Sequence, residues 1–297
     1  LLRYSEYFLT NTSILANGAR IGIDLASDSY LYLFNSSISG AEVAVDAYES
    51  HVDINNSRII NNSIGFRAEH CSDCIVSNST LCNLISDIEL TYCSNISIMG
   101  NQFTDITHSG ISIYSCTNVT VHKNTFVGSG VTILGKNISH FTTINISGDN
   151  TLNGKPIKYV KNTEKATISN NDFGQIIIAN VTMVSIANIR IYNTSVGIEI
   201  AFCNNTTITT TSICQSKYGL LLLNTNTTIR NSSLQYSTTS IYSINSTLQI
   251  DSSFLYNSSI GVGGILSQIH IHDSTIMDLS LIHISEPTRP RLISYAV

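Results

Sequence analysis

Four side chains in the N-terminal half of the chain could carry acid–base chemistry. They are His51, Asp53, Asp73 and Asp105. Hydrolysis of a glycosidic bond uses two carboxyl groups about 5 to 9.5 Å apart, one as an acid and one as a base or nucleophile. Two motifs expected of a pectin hydrolase, paired Asp after Asn-Thr and Gly-His-Gly, are missing. The sequence therefore offers catalytic candidates without a complete catalytic motif.

Two histidines in the C-terminal half could chelate a metal. His270 and His272 flank Ile271, so both imidazoles of a β-strand would point to the same side. Imidazole suits copper among other metals. Arg230, Asp251 and His272 recur at intervals of 21 residues, which instead favours a ladder of charges. We assign no cofactor from the sequence, and calcium and copper are the two metals left open.

Aromatic rings offer a third kind of site. The chain contains 14 Tyr and no Trp. Tyr92 and Tyr114 lie beside predicted turns, where exposed rings could stack on a sugar. These two residues are the candidates for binding a substrate.

The composition indicates strands and excludes several partners. The 297 residues include 30 Asn, 42 Ser, 30 Thr and 44 Ile, whereas only 12% are charged. Many β-branched residues with few charges fit neither a helical nor a disordered chain. The net charge of −5 leaves no basic patch, so we expect no nucleic-acid partner. No apolar run approaches about 18 residues, so we expect no transmembrane segment.

A period of about 22 residues organises the chain. Apolar residues recur at this spacing in both halves, and a second apolar column follows five residues behind the first. In the N-terminal half the first column contains Ile54, Val76, Ile98 and Val121. In the C-terminal half it contains Ile186, Ile208, Ile229, Ile250 and Ile271. Such repetition is typical of a solenoid.

Each repeat holds about three short segments in which apolar and polar residues alternate, as in half-buried strands. At roughly 3.3 Å per residue, one repeat extends over about 70 Å, enough for one three-sided coil around a dry interior. We therefore predict an all-β fold, a single-stranded parallel β-helix of about 11 to 12 coils with about 22 residues each.

The repeat also gives Asn residues a structural role. Asn56 and Asn78 lie two places after the inward column, and Asn101 and Asn124 lie one place later. Asn tolerates the left-handed backbone of a tight turn, and its side chain can bond to the next copy. We predict that these residues form the corners of the coils.

The same register predicts how charged residues stack. Asp87 aligns with Ser109 rather than with another acid, and we predict no column of carboxylates. Arg67 aligns with Glu89 of the next coil, which predicts an ion pair on the exterior.

Most of the seven Cys also follow the repeat. Cys71, Cys93 and Cys116 share one position, and Cys82 and Cys214 share another. This period predicts small buried residues at corners. A disulfide between neighbouring coils and a metal site are the alternatives that the spacing leaves open.

We predict one β-helix domain over residues 1–279. Residues 135–165 lose the register and include Pro156, which cannot donate to a central ladder, so we expect a flap or insertion there. Residues 280–297 break the composition and contain two of the three Pro. They resemble a translated sequencing adapter, and we interpret them as a non-native tail.

Several units carry a family resemblance. Segments such as Cys-Ser-Asn-Ile-Ser-Ile at 93–98, each followed by Gly-Ile-x-Ile or a similar run, resemble the right-handed parallel β-helix repeat of pectate-lyase-like proteins. Asn-Gly-Lys-Pro-Ile-Lys-Tyr at 153–159, followed by Gly-Gln-Ile-Ile-Ile-Ala-Asn at 174–180, resembles the NosD-like "periplasmic copper-binding" branch found in surface proteins of methanogenic archaea. The resemblance implies an exported envelope protein and carries over no catalytic residue.

These observations lead to three functional hypotheses. The first is a non-catalytic module of the cell surface or envelope that binds or presents carbohydrate, or binds a neighbouring envelope glycoprotein. The 17 Asn-x-Ser/Thr sequons are consistent with an exported glycoprotein. The alternatives are a carbohydrate-active enzyme, either a polysaccharide lyase or a glycoside hydrolase, and a NosD-like accessory protein that delivers copper.

Overall fold

The computed structural model describes residues 2–3, 5–170 and 173–279. In this part of the chain, short strands stack coil upon coil, with one four-residue helix. The structure confirms the predicted all-β parallel β-helix, with about 12 turns of about 22 residues. The predicted non-native tail, 280–297, lies outside the described residues.

The strands form two stacks of coils. The first stack contains helix α1 (Ser139–Thr142) and the strands β1 (Leu2–Arg3), β2 (Glu6–Thr10), β3 (Ser13–Leu15), β4 (Ile21–Ala26), β5 (Tyr30–Phe34), β6 (Ser37–Ser39), β7 (Val43–Tyr48), β8 (His51–Asn55), β9 (Arg58–Ile60), β10 (Ile64–Glu69), β11 (Ile75–Ser77), β12 (Thr80–Thr91), β13 (Ser94–Met99), β14 (Gln102–Tyr114), β15 (Thr117–His122), β16 (Thr125–Phe126), β17 (Val131–Leu134), β18 (Asn145–Ile146) and β19 (Thr151–Leu152). The second stack contains β20 (Lys155–Ser169), β21 (Gln175–Ala187), β22 (Arg190–Ala201), β23 (Asn205–Thr209), β24 (Ser212–Leu223), β25 (Asn226–Arg230), β26 (Ser233–Gln235), β27 (Thr239–Ile244), β28 (Thr247–Asp251), β29 (Phe254–Tyr256), β30 (Ile260–Ile265), β31 (Gln268–His272) and β32 (Thr275–Met277).

Residues one period apart lie side by side in parallel strands. Val76 pairs with Ile54 of the preceding coil and with Ile98 of the following coil, which confirms the inward column. One side of the first stack is a seven-stranded sheet, called sheet 1 here. It consists of β2, β5, β8, β11, β13, β15 and β18. Along each strand alternate residues point inward, so Val52 and Ile54 are buried while Asp53 between them faces outward.

The corner prediction is confirmed for Asn56 and Asn78, whose φ angles are 48° and 49°. The Asn56 amide also donates to the Asn35 side chain of the coil below. For Asn101 and Asn124 the predicted left-handed backbone is wrong, since neither has a positive φ angle. The predicted bond from each side chain to the Asn of the next coil is confirmed, and both residues are 1% exposed. They lie just inside the corner. Their side-chain amides bond to backbone groups that the turn leaves without a backbone partner.

A ladder of amides therefore runs through the interior of the first stack. The Asn101 N–H donates to Asn124 Oδ1 at 2.9 Å, and the Asn124 N–H donates to Asn150 Oδ1 at 3.0 Å. In turn, Asn124 Nδ2 donates to the Ile98 carbonyl at 3.0 Å. Each amide thus bonds to the coil on either side of it.

We expect Asn124→Ala to lower the free energy of unfolding by about 1–3 kcal/mol, because the buried Asn101 N–H and Ile98 carbonyl would lose their partners. Urea unfolding measures the loss. Asn205→Ala is the matched control, since Asn205 is exposed on β23 and has an ordinary backbone. Equal stability of the two variants would contradict the role of the ladder.

Residues 135–165, predicted as a flap, connect the two stacks. Strands β18 and β19 still pair in parallel with β15 and β16 and continue the first stack. Strand β20 then pairs antiparallel with β19 and parallel with β21. The chain therefore reverses at Asn153 and Gly154, whose φ angles are 52° and 76°, and begins the second stack.

Strands β21, β22 and β24 are buried on both faces where the stacks meet. Leu220 and Leu222 belong to the core of the second stack, whereas Leu221 and Leu223 pack in the core of the first. The same alternation occurs in β21. Uninterrupted apolar runs are typical of strands covered on both sides. The second stack thus covers part of the first.

Side chains of the second stack close the edge of β17. The Val131 N–H donates to Gln175 Oε1 at 3.0 Å, and the Ile133 N–H donates to Glu199 Oε2 at 3.1 Å. Glu199 is fully buried and its Oε1 has no hydrogen-bond partner. Burial raises the pKa of this carboxyl well above its ordinary value. The junction therefore favours the protonated acid.

Candidate functional sites

Three of the four acid–base candidates line one concavity on the outer face of sheet 1. His51 and Asp53 belong to β8, and Asp73 lies in the turn before β11. Tyr30 and Tyr32 of β5 complete the lining, and the concavity has a volume of about 230 Å³. The rings of Tyr30 and His51 stack with their centroids 4.4 Å apart. The structure thus combines two carboxyl groups with aromatic surface.

The surroundings of Asp53 favour the protonated form of its carboxyl group. Its Oδ1 is buried without a hydrogen-bond partner. Partial burial raises the pKa of the carboxyl, because the charged form loses hydration. An Asp that retains its proton more readily could protonate a leaving group. A catalytic assignment would also require a second carboxyl group at a defined distance across a bound sugar.

The fourth candidate, Asp105, lies apart from this concavity, and the Cys82 thiol donates to its Oδ2 at 3.6 Å. The predicted alignment of Asp87 with Ser109 is wrong by one residue. Between the pairs Leu84–Ile106 and Ser86–Ser109, β14 has one residue more than β12, and this bulge places Ser86 opposite Ser109. Asp87 is fully buried, neither of its carboxyl oxygens has a hydrogen-bond partner, and burial raises its pKa well above the ordinary range.

The predicted ion pair of Arg67 with Glu89 is also wrong. Arg67 lies between Asp46 of the coil below and Glu89 of the coil above. Its guanidinium donates twice to Asp46, with Nε–Oδ1 at 2.9 Å and Nη2–Oδ2 at 2.5 Å. The two-pronged geometry of this pair makes the lower partner the favoured one.

Four aromatic side chains form a column along a corner of the first stack, called the corner ladder here. It consists of Tyr48, His70, Tyr92 and Tyr114. The centroid distances between successive rings are 5.8, 5.1 and 5.6 Å. The first and last contacts are edge-to-face, whereas His70 and Tyr92 stack. The structure therefore brings together Tyr92 and Tyr114, the predicted substrate-binding pair, and adds two rings below them.

The two outer rings of the ladder lie at strand ends and the two middle rings lie in turns. Tyr48 and Tyr114 end β7 and β14, whereas His70 and Tyr92 each occupy the next turn with φ at 54°. A left-handed backbone costs an ordinary residue about 1–2 kcal/mol. The same backbone conformation recurs at many other corners of the coils, including Asn56 and Asn78, so it is a feature of the fold. Tyr48 and Tyr92 are 43% and 47% exposed, so the ladder faces solvent.

The metal-binding candidates are dispersed. His270 and His272 are exposed on β31, where His272 pairs with Asp251 in register. Arg230 Nε lies 3.1 Å from Asp251 Oδ2, so these residues form the ladder of charges that their spacing favours. In the described part of the chain, no group of three or more His, Cys, Asp or Glu is arranged to hold a metal.

The Cys prediction is correct for one position and wrong for the other. Cys71, Cys93 and Cys116 are buried thiols in the interior. Cys82 and Cys214 are half-exposed, because they lie at outward positions of β12 and β24 beside the inward Leu81 and Ile213.

The chain belongs to the family described as the right-handed beta helix region, whose sequence profile matches residues 2–173. This membership confirms the right-handed class that the repeats resemble. A comparison with curated proteins found no match. No helix among the described residues is long and apolar enough to cross a membrane.

Several solved structures resemble this chain at low similarity. The catalytic domain of a GH87 alpha-1,3-glucanase in complex with tetrasaccharides is 11% identical with a TM-score of 0.37, and the match covers 94% of this chain and 64% of the glucanase domain. The Azotobacter vinelandii mannuronan C-5 epimerase AlgE4 A-module is 12% identical with a TM-score of 0.29, covering 92% and 91%. The Streptococcus pneumoniae surface protein and adhesin PfbA is 10% identical with a TM-score of 0.27, covering 90% and 91%. These likenesses concern the fold alone.

Proposed function

We propose that this chain is a non-catalytic, extracellular module of the cell envelope that binds polysaccharide along the corner ladder. The ligand is a free polysaccharide or the glycan of a neighbouring envelope glycoprotein. The observation that supports this proposal most directly is the exposed ring column, which repeats once per coil.

The spacing of the rings suits an extended sugar polymer. Successive centroids are 5.1 to 5.8 Å apart, which is close to the length of one pyranose in an extended chain. Exposed aromatic rings provide apolar area at little cost in side-chain entropy. A polymer lying along the coil axis would therefore place one sugar on each ring.

We expect Tyr92→Asn to weaken the binding of an extended oligosaccharide about tenfold or more. The reason is that loss of one central stacking contact in a ligand site costs about 1–3 kcal/mol. Asn is the replacement of choice because it tolerates the left-handed backbone at this position. Isothermal titration with neutral, amine-bearing and uronic-acid oligosaccharides of equal length measures the effect.

Tyr236→Asn is the matched control for this experiment. Tyr236 is 51% exposed and has a φ of 54°, but it pairs only with Tyr256 in the second stack. We expect the control to bind like the unmodified chain. Failure of all three oligosaccharides to bind, or equal weakening by both variants, would contradict the proposed site.

The concavity on sheet 1 favours an enzyme as the second candidate function. Asp53 and Asp73 line it together, and the pKa of Asp53 is raised by burial. Depolymerisation of a polysaccharide by the purified chain, lost in Asp53→Asn and retained in Tyr92→Asn, would establish this alternative in place of a non-catalytic module. Copper delivery is the third candidate, and among the described residues no group of three or more His, Cys, Asp or Glu is arranged to hold a metal.

A further inference from the structure

We propose that the corner ladder selects a polysaccharide of amino sugars whose amino groups are free and positively charged. This inference rests on the proposed function and adds the chemical class of the ligand. It combines the aromatic ladder with the carboxylates that surround it.

Carboxylates flank the rings along the same corner. Glu49 follows Tyr48 directly, and Glu69 lies opposite Tyr48 in the adjacent strand. Glu69 Oε1 lies 3.9 Å from His70 Nε2. Both side chains are exposed, so they face the solvent that a bound polymer would occupy.

The negative charge of this corner contributes to a raised pKa in two of its tyrosines. A hydrogen bond with Glu49, followed by the charge of Glu49, raises the pKa of Tyr48. A hydrogen bond with Tyr114 contributes most to the raised pKa of Tyr92, and the charge of Glu69 adds to it. In both cases a neighbouring carboxylate disfavours a second negative charge. A uronic-acid polymer would meet the same repulsion.

A neighbouring cation on the same strand as Glu69 is already paired. Arg67 lies two residues before Glu69 on β10, and its guanidinium is paired with both oxygens of Asp46. Because Arg67 is paired with Asp46, it does not neutralise the charges of Glu49 and Glu69. Aromatic faces attract cations as well, by about 0.5–1 kcal/mol at exposed sites. Rings and carboxylates together favour an ammonium group over a neutral hydroxyl.

The geometry also explains why a polymer is preferred to a single amine. Ladder rings recur once per coil, and Glu49 and Glu69 belong to successive coils. A chain of amino sugars lying on the rings would present ammonium groups repeatedly along this strip. Each contact is weak by itself, because the groups are exposed to water and salt.

The test is a titration of a glucosamine oligomer and a glucose oligomer of equal length and linkage, at a pH at which the amines are charged. We expect the unmodified chain to bind the glucosamine oligomer about fivefold to tenfold more tightly, and added salt to reduce the difference. Glu69→Gln should reduce this preference by weakening the binding of the glucosamine oligomer more than that of the glucose oligomer. Glu164→Gln, at an exposed site on β20, should leave both affinities unchanged.

Each result separates the inference from the proposed function. Equal affinity for the two oligomers, or stronger binding of a galacturonate oligomer, would overturn the amino-sugar inference and leave a glycan-binding ladder. Binding of none of the three would contradict the proposed function itself. A lysine-rich peptide that binds as tightly as the glucosamine oligomer, and equally to Tyr92→Asn, would show general attraction of cations and overturn the inference.

Discussion

Glu199→Gln is expected to make the protein more stable at neutral pH and to reduce the loss of stability as the pH rises. Glu199 is fully buried at the junction of the stacks, and burial raises its pKa well above the ordinary value of 4.5. The amide of Gln has a similar shape, can accept from the Ile133 N–H through its oxygen, and carries no ionisable proton.

The direction of this effect follows from proton linkage. Above about pH 4.5 the unfolded chain releases the Glu199 proton, whereas the folded chain retains it up to its raised pKa. Stability due to this group is therefore full below the unfolded pKa and is lost as the pH rises toward the folded pKa. Within that window the loss is about 1.4 kcal/mol per pH unit.

Urea unfolding at a series of pH values measures this contribution. The unmodified chain should lose stability between about pH 5 and the folded pKa, and Glu199→Gln should lose less. Burial also raises the pKa of Asp87. Asp87 therefore contributes a similar loss of stability with rising pH to the unmodified chain and to Glu199→Gln. Glu164→Gln on the exposed face of β20 is the control. Parallel pH profiles for Glu199→Gln and the unmodified chain would contradict a protonated Glu199 at the junction.

Phe126→Ala is expected to lower the free energy of unfolding by about 3–5 kcal/mol. Phe126 is fully buried, and its ring stacks on Phe103 of the preceding coil at 4.6 Å. The same ring packs over Gly110, where a Cβ would lie 2.8 Å from Phe126 Cδ1. Removal of the ring leaves a cavity between two coils that the surrounding strands cannot readily close.

The neighbouring residue provides the control for the core experiment. Val127 is 46% exposed in the turn after β16, so Val127→Ala should change stability by about 0.5 kcal/mol or less. Urea unfolding of both variants at one pH gives the comparison. Similar small losses in the two variants would show that the interior of this coil is not packed as described.

The repeat made the core and many corners predictable. A parallel coil places residue i beside residue i plus one period, so Val76 had to meet Ile54 and Ile98. The left-handed turn explains Asn56 and Asn78 by the conformational tolerance of Asn. These features depend on one regularity that every coil repeats, namely that each residue lies beside the residue one period away.

Details that depend on a single residue were not predictable from the period. An extra residue in β14 shifts the partner of Asp87 by one place, and no spacing in the sequence shows where along β14 it is absorbed. Arg67 has a carboxylate both below and above, and its choice of Asp46 over Glu89 is a matter of side-chain geometry. The strand register alone places both Asp46 and Glu89 beside Arg67.

The contact between the two stacks is only partly predictable from the sequence. The run at 220–223 has four Leu in succession, which indicates a strand buried on both faces. The sequence shows that both faces are covered, but it does not say that the first stack provides the cover. Glu199 interrupts the equivalent run in β22, and only the edge of β17 explains its position.

The corner ladder could have been found in full from the sequence. Tyr48, His70, Tyr92 and Tyr114 are separated by 22 residues at each step, which is the period itself. Tyr92 and Tyr114 are predicted from the sequence as exposed rings near turns, and the structure adds Tyr48 and His70 to the column. The exposed column of rings, rather than any single Tyr, is the feature that supports a polysaccharide site.

Footprinting of the unmodified chain with a solvent-borne label, in the presence and absence of saturating oligosaccharide, tests the central claim most directly. We predict protection of the peptides that contain Tyr48, His70, Tyr92 and Tyr114. The pair Tyr236 and Tyr256 in the second stack should remain equally labelled. Protection of the sheet 1 concavity or of the second stack, with the corner ladder labelled as before, would contradict the account.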